Sequence, residues 1–368
     1  MSANLVGARI KALREQLNFS QEALAKHFGF KDRQTLSAIE NGERRVTAEE
    51  LIRASELLAA PIETFTDPFL LIGEGRFSWR QAGVADKQLS GYERDAGRLI
   101  AAFRTLGAQL GPKPPLLRRA LGLSKTSSFE DAIAAAERFA EEFSLGAAPA
   151  RRLAAVMEEQ LGILVLMVDA IQGVSGAACR LPELDAVLIN RNEIAGRRHY
   201  DLAHELFHIL TWDTMPPAHV EDARVISKDR VEQLADNFAS ALLMPASCLA
   251  RFGDWGGLTE EALIAKLNAS ANELEVTAVA LKWRLVAMGR LTRAVARSID
   301  DSSLRNNGRP GAPREKPPLF SKPFVELVAR ALNEGRLSIR RAAGLLDMAV
   351  DDLPAMFAAH GVTAEVEI

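Results

Sequence analysis

The histidines at positions 204 and 208, with the glutamate at 205, are the residues of this chain best suited to chemistry. The five letters HELFH begin at His204, inside a run whose apolar spacing predicts a helix. Residues four apart lie one turn apart on the same helix face, so both imidazoles can bind one zinc ion. Glu205 is then placed to act as a general base on a metal-bound water. The alternative is a buried helix that happens to carry two histidines.

A catalytic zinc ion usually has three protein ligands and one water, so a third ligand is needed. Residues 231–242 are apolar at helical spacing, and Pro245 ends the segment. Glu232 and Asp236 share one face of this predicted helix. We predict that Glu232 is the third ligand and that Asp236 accepts a hydrogen bond from a ligating histidine. Alternatively, both acids belong to the solvated face of an amphipathic helix.

Three residues between these helices compete with Glu232 for the role of third ligand: His219, Glu221 and Asp222. We rank them lower because a loop holds a side chain less firmly than a helix does. Thr214 stands where a longer three-histidine zinc motif would have its third histidine, and this excludes that motif.

Zinc peptidases also need elements that hold the substrate beside the metal. Branched and small residues predict strands at 162–168, 177–180 and 186–190, with a further extended piece at 76–79. An edge strand of such a sheet can pair with an extended peptide backbone. These strands can equally serve to cover the predicted helix pair. Helical spacing predicts further helices at 89–106, 128–143, 149–161, 259–267, 276–287, 324–332, 338–346 and 353–359.

Four short helices are predicted at the N-terminus, at 6–18, 21–28, 32–41 and 48–59. Ser20 and Thr47 are suitable N-caps, and Gly29 and Gly42 are suitable ends. Two short helices joined by a tight glycine turn make a helix-turn-helix. The alternative is a small helical bundle used for protein contact or dimerisation.

The string SQEALAKHFGFKDRQTLSAIENGER resembles Xre/Cro-type DNA-binding domains. The resemblance implies that the third helix enters the major groove of double-stranded DNA. Arg33 and Gln34 are best suited to base edges. The residues that would face DNA are Lys31, Arg33, Gln34, Thr35 and Ser37, and those that would contact phosphates are Gln21, Arg44 and Arg45.

Composition agrees with a soluble cytoplasmic protein of two or three domains. The chain has 368 residues, 48% hydrophobic residues and a net charge of −3. DNA affinity must therefore come from a local basic patch, and the basic residues of the first segment are Arg9, Lys11, Arg14, Lys26, Lys31, Arg33, Arg44 and Arg45. We identify no signal peptide or membrane span. The two cysteines, Cys179 and Cys248, provide no disulfide framework.

The blocks VLIN, RRHYDLAHELFHIL and EQLADNFASALLMP resemble the ImmA/IrrE metallopeptidases across roughly residues 150–295. By position, His204 and His208 match the family's metal ligands, Glu205 its catalytic glutamate and Glu232 its downstream acidic ligand. The resemblance implies an intracellular Zn2+ endopeptidase that cleaves a transcriptional repressor. It also implies that this cleavage regulates gene expression in a stress response. The spacing of the residues alone supports only a zinc hydrolase.

Together these features predict a mostly helical α+β fold. We expect an all-α helix-turn-helix domain, a zincin-like peptidase domain with a small sheet, and a C-terminal helical module for docking or dimerisation. The predicted segments are 1–70 (DNA-binding domain), 71–150 (helical connector), 151–298 (peptidase domain), 299–318 (flexible linker) and 319–368 (C-terminal module).

Two functions fit these features. One is a DNA-bound protease that cleaves a repressor or antitoxin, with a homodimer on DNA by analogy. The other is a transcription regulator whose metal domain senses a ligand or zinc without proteolysis. An intact Glu205 favours the first, because a pure binding site needs no general base. The residue that stabilises the oxyanion stays open among Tyr200, His199 and His219.

Overall fold

The computed structural model describes residues 3–111, 118–222, 229–304 and 316–364. Residues 305–315 of the predicted linker lie outside this range. Contacts divide the chain into two compact units. Unit 1 comprises Met1–Arg76, Asp86–Pro114 and Glu326–Ile368, and unit 2 comprises Phe77–Ala85 and Pro115–Val325. The five segment boundaries stay predictions.

The elements confirm the mostly helical α+β class. The helices of the first 110 residues are α1 (Ala3–Gln16), α2 (Gln21–Phe28), α3 (Arg33–Glu40), α4 (Ala48–Leu57), α5 (Ile62–Thr66) and α6 (Asp86–Gln109). The later helices are α7 (Phe129–Glu142), α8 (Ala150–Glu159), α9 (Ala195–Thr211), α10 (Arg230–Leu243), α11 (Ala246–Ala250), α12 (Glu260–Leu274), α13 (Ala278–Ala287), α14 (Arg293–Ser298), α15 (Lys322–Asn333), α16 (Ile339–Leu346) and α17 (Leu353–Ala359). The strands are β1 (Arg76–Gln81), β2 (Leu164–Val168), β3 (Val174–Arg180), β4 (Asp185–Asn190) and β5 (Val220–Asp222).

Unit 1 contains the helix-turn-helix bundle. Ser20 and Thr47 cap α2 and α4 as predicted, and Gly29 ends α2 at a φ of 74°, in the left-handed region that glycine adopts without strain. The core of this bundle contains Ile10, Leu24, Leu36, Ile39 and Phe65.

The last segment of unit 1 packs against the first two. Helix α16 contacts α6. Arg341 pairs with Asp67, and its guanidinium lies over the ring of Phe69. Arg330 donates a hydrogen bond to the carbonyl of Leu110. The C-terminal helices therefore dock onto their own chain.

Unit 2 is built on a five-stranded mixed sheet in the order β2-β4-β3-β1-β5. Strands β2 and β4 are parallel, β3 and β4 antiparallel, and β1 and β5 parallel. Helix α9 packs on β3 and β4, while α10 packs between α9 and α7. Strand β5, which the sequence did not predict, forms one edge of the sheet. Among the described residues, no helix is both long enough and apolar enough to cross a membrane.

One glycine of the sheet allows α9 to lie close to it. A Cβ atom at Gly176 on β3 would lie 2.9 Å from the carbonyl oxygen of Leu188 and 3.2 Å from Cδ1 of Ile189. The same Cβ would contact Cγ of Glu205 at 3.8 Å. A larger residue here therefore has to separate two strands, or the sheet from the helix.

We expect Gly176→Ala to lower the free energy of unfolding by about 1–3 kcal/mol, because the added methyl group overpacks a buried backbone contact. Denaturant unfolding of the full chain measures this loss. Gly256→Ala is the matched control, because a Cβ there meets nothing within 4 Å. Equal stability of the two variants would show that the strands can separate without cost.

Candidate metal centre and nucleic-acid interface

Helix α9 presents one stripe of ionisable side chains inside unit 2. Asp201, His204, Glu205 and His208 follow the spacing i, i+3, i+4, i+7, which places them on neighbouring turns of one face. All four are at most 1% exposed. Burying this many polar groups is unfavourable unless each is paired with a hydrogen-bond partner, an opposite charge or a metal ion.

Helix α10 brings an acid to this stripe. The Oε2 atom of Glu232 lies 3.1 Å from Nε2 of His204 and 3.4 Å from Nε2 of His208. The two Nε2 atoms are 3.1 Å apart. Two ligand atoms of a tetrahedral zinc site with bonds of 2.0–2.1 Å are separated by about 3.3–3.4 Å. These three atoms therefore match one face of such a site, and the residues fit the metal that the sequence implies.

Glu221 supplies a fourth possible donor. Its Oε2 atom lies 3.3 Å from Nε2 of His204. One ligand atom from each of His204, His208, Glu221 and Glu232 lies within 4.8 Å of the others. The sequence ranked Glu221 below Glu232 because it predicted a loop there. Residues 220–222 instead form β5, which is held by pairing to β1, so the low rank rested on a wrong local structure.

Asp236 lies where the sequence predicted it, next to a histidine of the stripe. Its Oδ1 atom is 3.1 Å from Nδ1 of His204, and it also accepts a hydrogen bond of 3.1 Å from the hydroxyl of Tyr200. Donation of Nδ1–H to Asp236 leaves Nε2 as the ring nitrogen of His204 at which a metal ion could replace a proton. Nδ1 of His208 has no comparable partner among the described residues.

Arg80 on β1 is the main residue that the sequence analysis missed. It is buried, with Nη1 3.0 Å from Nε2 and 3.2 Å from Nδ1 of His204. The same nitrogen lies 3.0 Å from both carboxylate oxygens of Glu221, and Nε lies 3.1 Å from Oδ1 of Asp201. Arg80 thus links α9, β1 and β5. Asp201 could have been found from its place on the α9 stripe, but nothing in the local sequence marks Arg80.

The electrostatics of the cluster favour a cation. Burial alone would lower the pKa of His204, but hydrogen bonds to Asp236, Glu221 and Glu232 raise it well above its usual value. Burial alone would raise the pKa of Glu232, but its hydrogen bonds with His204 and His208 hold it below the usual range. Excess negative charge therefore surrounds the two imidazoles, and a divalent cation would neutralise it.

Glu205 differs from the other acids of the cluster. Burial raises its pKa from 4.5 to about 8. Its Oε2 atom has no hydrogen-bond partner within the described ranges. A buried carboxyl group with a raised pKa is suited to accept and release a proton near neutral pH.

The other candidate residues are not among the four donors. His199 contacts the carbonyl oxygen of Glu275 at 2.8 Å, and the Tyr200 hydroxyl is bound to Asp236. His219 accepts a hydrogen bond at its carbonyl from the backbone of Trp79, and this contact helps to hold β5. Asp222 lines a cavity of about 490 Å³ beside Glu221 and Glu232. Cys179 is buried and Cys248 half-buried, and neither forms a disulfide bond within the described part of the chain.

In unit 1, the predicted base-contacting residues lie at the start of α3. Lys31, Arg33 and Gln34 are exposed, and Thr35 and Ser37 are half-buried. Asp32 caps α3 and accepts a hydrogen bond from the Thr35 backbone. An exposed and well-capped helix start is the part of a recognition helix that reaches base edges.

Two of the residues predicted to contact phosphates, Gln21 and Arg44, already form hydrogen bonds with acidic side chains of unit 1. The Gln21 amide donates to Oε2 of Glu40 at 2.8 Å. Arg44 forms hydrogen bonds of 3.0 and 2.8 Å with Glu50. Arg45 is exposed. To contact DNA, Gln21 and Arg44 therefore have to share these donor groups with a phosphate or break the hydrogen bonds to Glu40 and Glu50.

The basic patch is smaller than the sequence indicated. Arg9 is fully buried and donates to the carbonyls of Thr64, Asp67 and Leu70, where it holds the chain that follows α5. Arg14 is 7% exposed and forms a buried ion pair of 2.6 Å with Glu40. Neither arginine can contribute to a DNA-binding surface, because each is buried and its guanidinium is used for hydrogen bonds or an ion pair inside the bundle.

Comparison with known families agrees with this division of the chain. Residues 10–65 match the helix-turn-helix family, and residues 158–285 match the IrrE N-terminal-like domain. No curated protein matches the chain. The apo form of the competence regulator ComR from Streptococcus vestibularis is 13% identical over 99% of this chain and 100% of that chain, with a TM-score of 0.17.

We expect Asp236→Asn to weaken Zn2+ binding by about 10- to 100-fold, because His204 loses the carboxylate that orients its ring and raises its basicity. Competition with a chromogenic chelator measures the affinity. Asp213→Asn is the control, because this carboxylate is 75% exposed and pairs with Arg180 outside the cluster. If both variants bind Zn2+ as tightly as the wild type, Asp236 does not support a metal ligand.

Proposed function

We propose that this chain, in which an Xre-type helix-turn-helix domain precedes an IrrE N-terminal-like domain, is a DNA-binding regulatory zinc endopeptidase. The observation that carries the proposal is the triangle formed by the Nε2 atoms of His204 and His208 and Oε2 of Glu232. Glu205 lies on the same helix face. The substrate of the proposed peptidase would be a transcriptional repressor or an antitoxin-like protein, as the family resemblance implies.

In this proposal His204, His208 and Glu232 hold Zn2+, and Asp236 fixes the ring of His204. The ion would lower the pKa of a bound water and polarise the peptide carbonyl. Glu205 would accept a proton from the attacking water and pass it to the leaving amine. The burial of Glu205 supports this role, since a carboxyl group with a pKa of about 8 is protonated or ionised with little cost at neutral pH.

Two features of unit 2 are suited to an extended peptide. The cavity beside Glu221 and Glu232 is large enough for several residues of a polypeptide, and part of its lining is apolar. It is lined by Lys125, Pro216, Pro217, Ala218, Val220, Glu221, Asp222, Asp229, Val231 and Glu232. Strand β5 forms the sheet edge beside it and could pair with a substrate backbone.

The proposed DNA partner rests on unit 1. The start of α3 exposes a lysine, an arginine and a glutamine on a capped helix, which suits direct reading of bases. Dimerisation on DNA is proposed by analogy with other helix-turn-helix proteins, whose two half-sites are read by two copies.

A second candidate is a metal-dependent sensor that regulates transcription without proteolysis. The observation in its favour is that Glu221 completes a set of four donors, the number that structural zinc sites have. A sensor would need the four donors but not Glu205. The two candidates therefore differ in what a change at Glu205 should do.

We expect Glu205→Gln to retain about one Zn2+ per chain and to lose at least about 100-fold in peptide cleavage, because the general base is removed and the donors are not. Mass spectrometry measures metal content, and a quenched-fluorescence peptide library measures cleavage. Glu232→Ala is the comparison variant and should lose both metal and cleavage. Loss of the metal in Glu205→Gln would contradict the assignment of Glu205 as a base rather than a ligand. No cleavage by either the zinc-loaded wild type or zinc-loaded Glu221→Gln would favour the sensor.

We expect the double substitution Arg33→Ala and Gln34→Ala to weaken DNA binding by at least about tenfold, because each side chain is worth about 1–3 kcal/mol at a base edge. The probe is a duplex selected by the wild-type chain from a random library. Lys87→Ala with Gln88→Ala, exposed on α6, is the matched control. Equal affinity of both double variants would remove the start of α3 from the DNA interface. Zinc content should be unchanged in each.

A further inference from the structure

Glu221 is a fourth possible donor beside the three that a catalytic zinc site needs. A catalytic site has three protein ligands, whereas a site closed by four is structural. The Oε2 atom of Glu221 lies 3.3 Å from Nε2 of His204, close to the separation of two ligands of one tetrahedral zinc. The corresponding contacts among His204, His208 and Glu232 are 3.1–3.4 Å.

The carboxylate of Glu221 is held there by a chain of buried charges. Nη1 of Arg80 is 3.0 Å from each of its oxygens. Nε of the same guanidinium lies 3.1 Å from Asp201, which is fully buried on α9 one turn before His204. Arg80 therefore ties the acid of β5 to the helix that carries both histidines.

The backbone of β5 fixes the same position independently. Val220, Glu221 and Asp222 pair in parallel register with Trp79, Arg80 and Gln81 of β1. Glu221 is thus directly opposite Arg80 in the sheet. A side chain held by strand pairing and by an ion pair has little conformational entropy left to lose when it binds a metal.

We propose that Glu221 is a fourth protein ligand of the metal, held by Arg80, and that peptide hydrolysis requires its withdrawal to open a position for water. This inference rests on the proposed zinc peptidase function and adds its regulation. The closed state has His204, His208, Glu232 and Glu221 on the ion. The open state has three of them, with Glu221 paired to Arg80 alone.

The wild-type chain loaded with Co2+ tests the closed state without any substitution. Acetohydroxamate binds an open coordination position and changes the visible absorption spectrum of the ion. We expect no spectral change in the wild type at millimolar acetohydroxamate. A wild-type spectrum that responds at micromolar concentrations would overturn the inference, because the site would already be open.

Glu221→Gln tests the identity of the fourth ligand. We expect its Zn2+ affinity to fall at least about tenfold, its Co2+ spectrum to respond to acetohydroxamate, and peptide cleavage to rise. Asp222→Asn removes the same charge from the next residue of β5 without removing one of the four donors, so its Zn2+ affinity should fall by no more than about threefold. Equal losses in both variants would show a charge effect and overturn the inference.

These outcomes are separate from failure of the proposed function. A wild type that binds neither Zn2+ nor Co2+ would overturn the zinc peptidase itself, and the inference with it. A wild type that binds Zn2+ and cleaves peptides, with Glu221→Gln unchanged in affinity and spectrum, would overturn only the role of Glu221.

Discussion

The constraint on which unit 2 depends is the burial of several acidic side chains in one small volume. Glu205, Glu232 and Asp201 are all buried against two imidazoles that approach to 3.1 Å. Such an arrangement is unfavourable in a low-dielectric interior unless cations compensate it. Arg80 provides one positive charge. The donor atoms have the spacing of a tetrahedral site, and a metal ion bound among them would provide the remaining positive charge. The packing of α9 on the sheet and of α10 on α9 is what brings these charges together.

The sequence predicted the parts of this arrangement that follow from a single helix. His204, Glu205 and His208 lie within five residues, and Glu232 and Asp236 within another five, so the period of 3.6 residues was enough to place each set on one face. Helices α1 to α4 of unit 1 were also found from local signals, because their caps and glycine ends lie next to them in sequence, whereas α5 was not predicted. The fold class followed from the order of these elements.

The contacts missed by sequence analysis depend on residues distant in the chain. Arg80 and Glu221 are 141 positions apart and meet only because β1 and β5 pair. A strand of three residues has no periodic pattern, so β5 could not be predicted, and Glu221 was ranked as a loop residue. The basic patch was overestimated for a related reason: composition counts Arg9 and Arg14, but tertiary packing decides that both are buried.

Unit 1 is assembled from three separated stretches of chain, and its last stretch, from Glu326 onward, follows all of unit 2. Synthesis proceeds from the N-terminus and domains generally fold as units. The core of the helix-turn-helix bundle lies entirely within residues 10–65. It can therefore form early, while the rest of the chain is still being made on the ribosome. The docking of α16 on α6 has to wait until the peptidase-like unit has been made. A nascent or truncated chain would thus carry the helix-turn-helix bundle before the rest of unit 1 is complete.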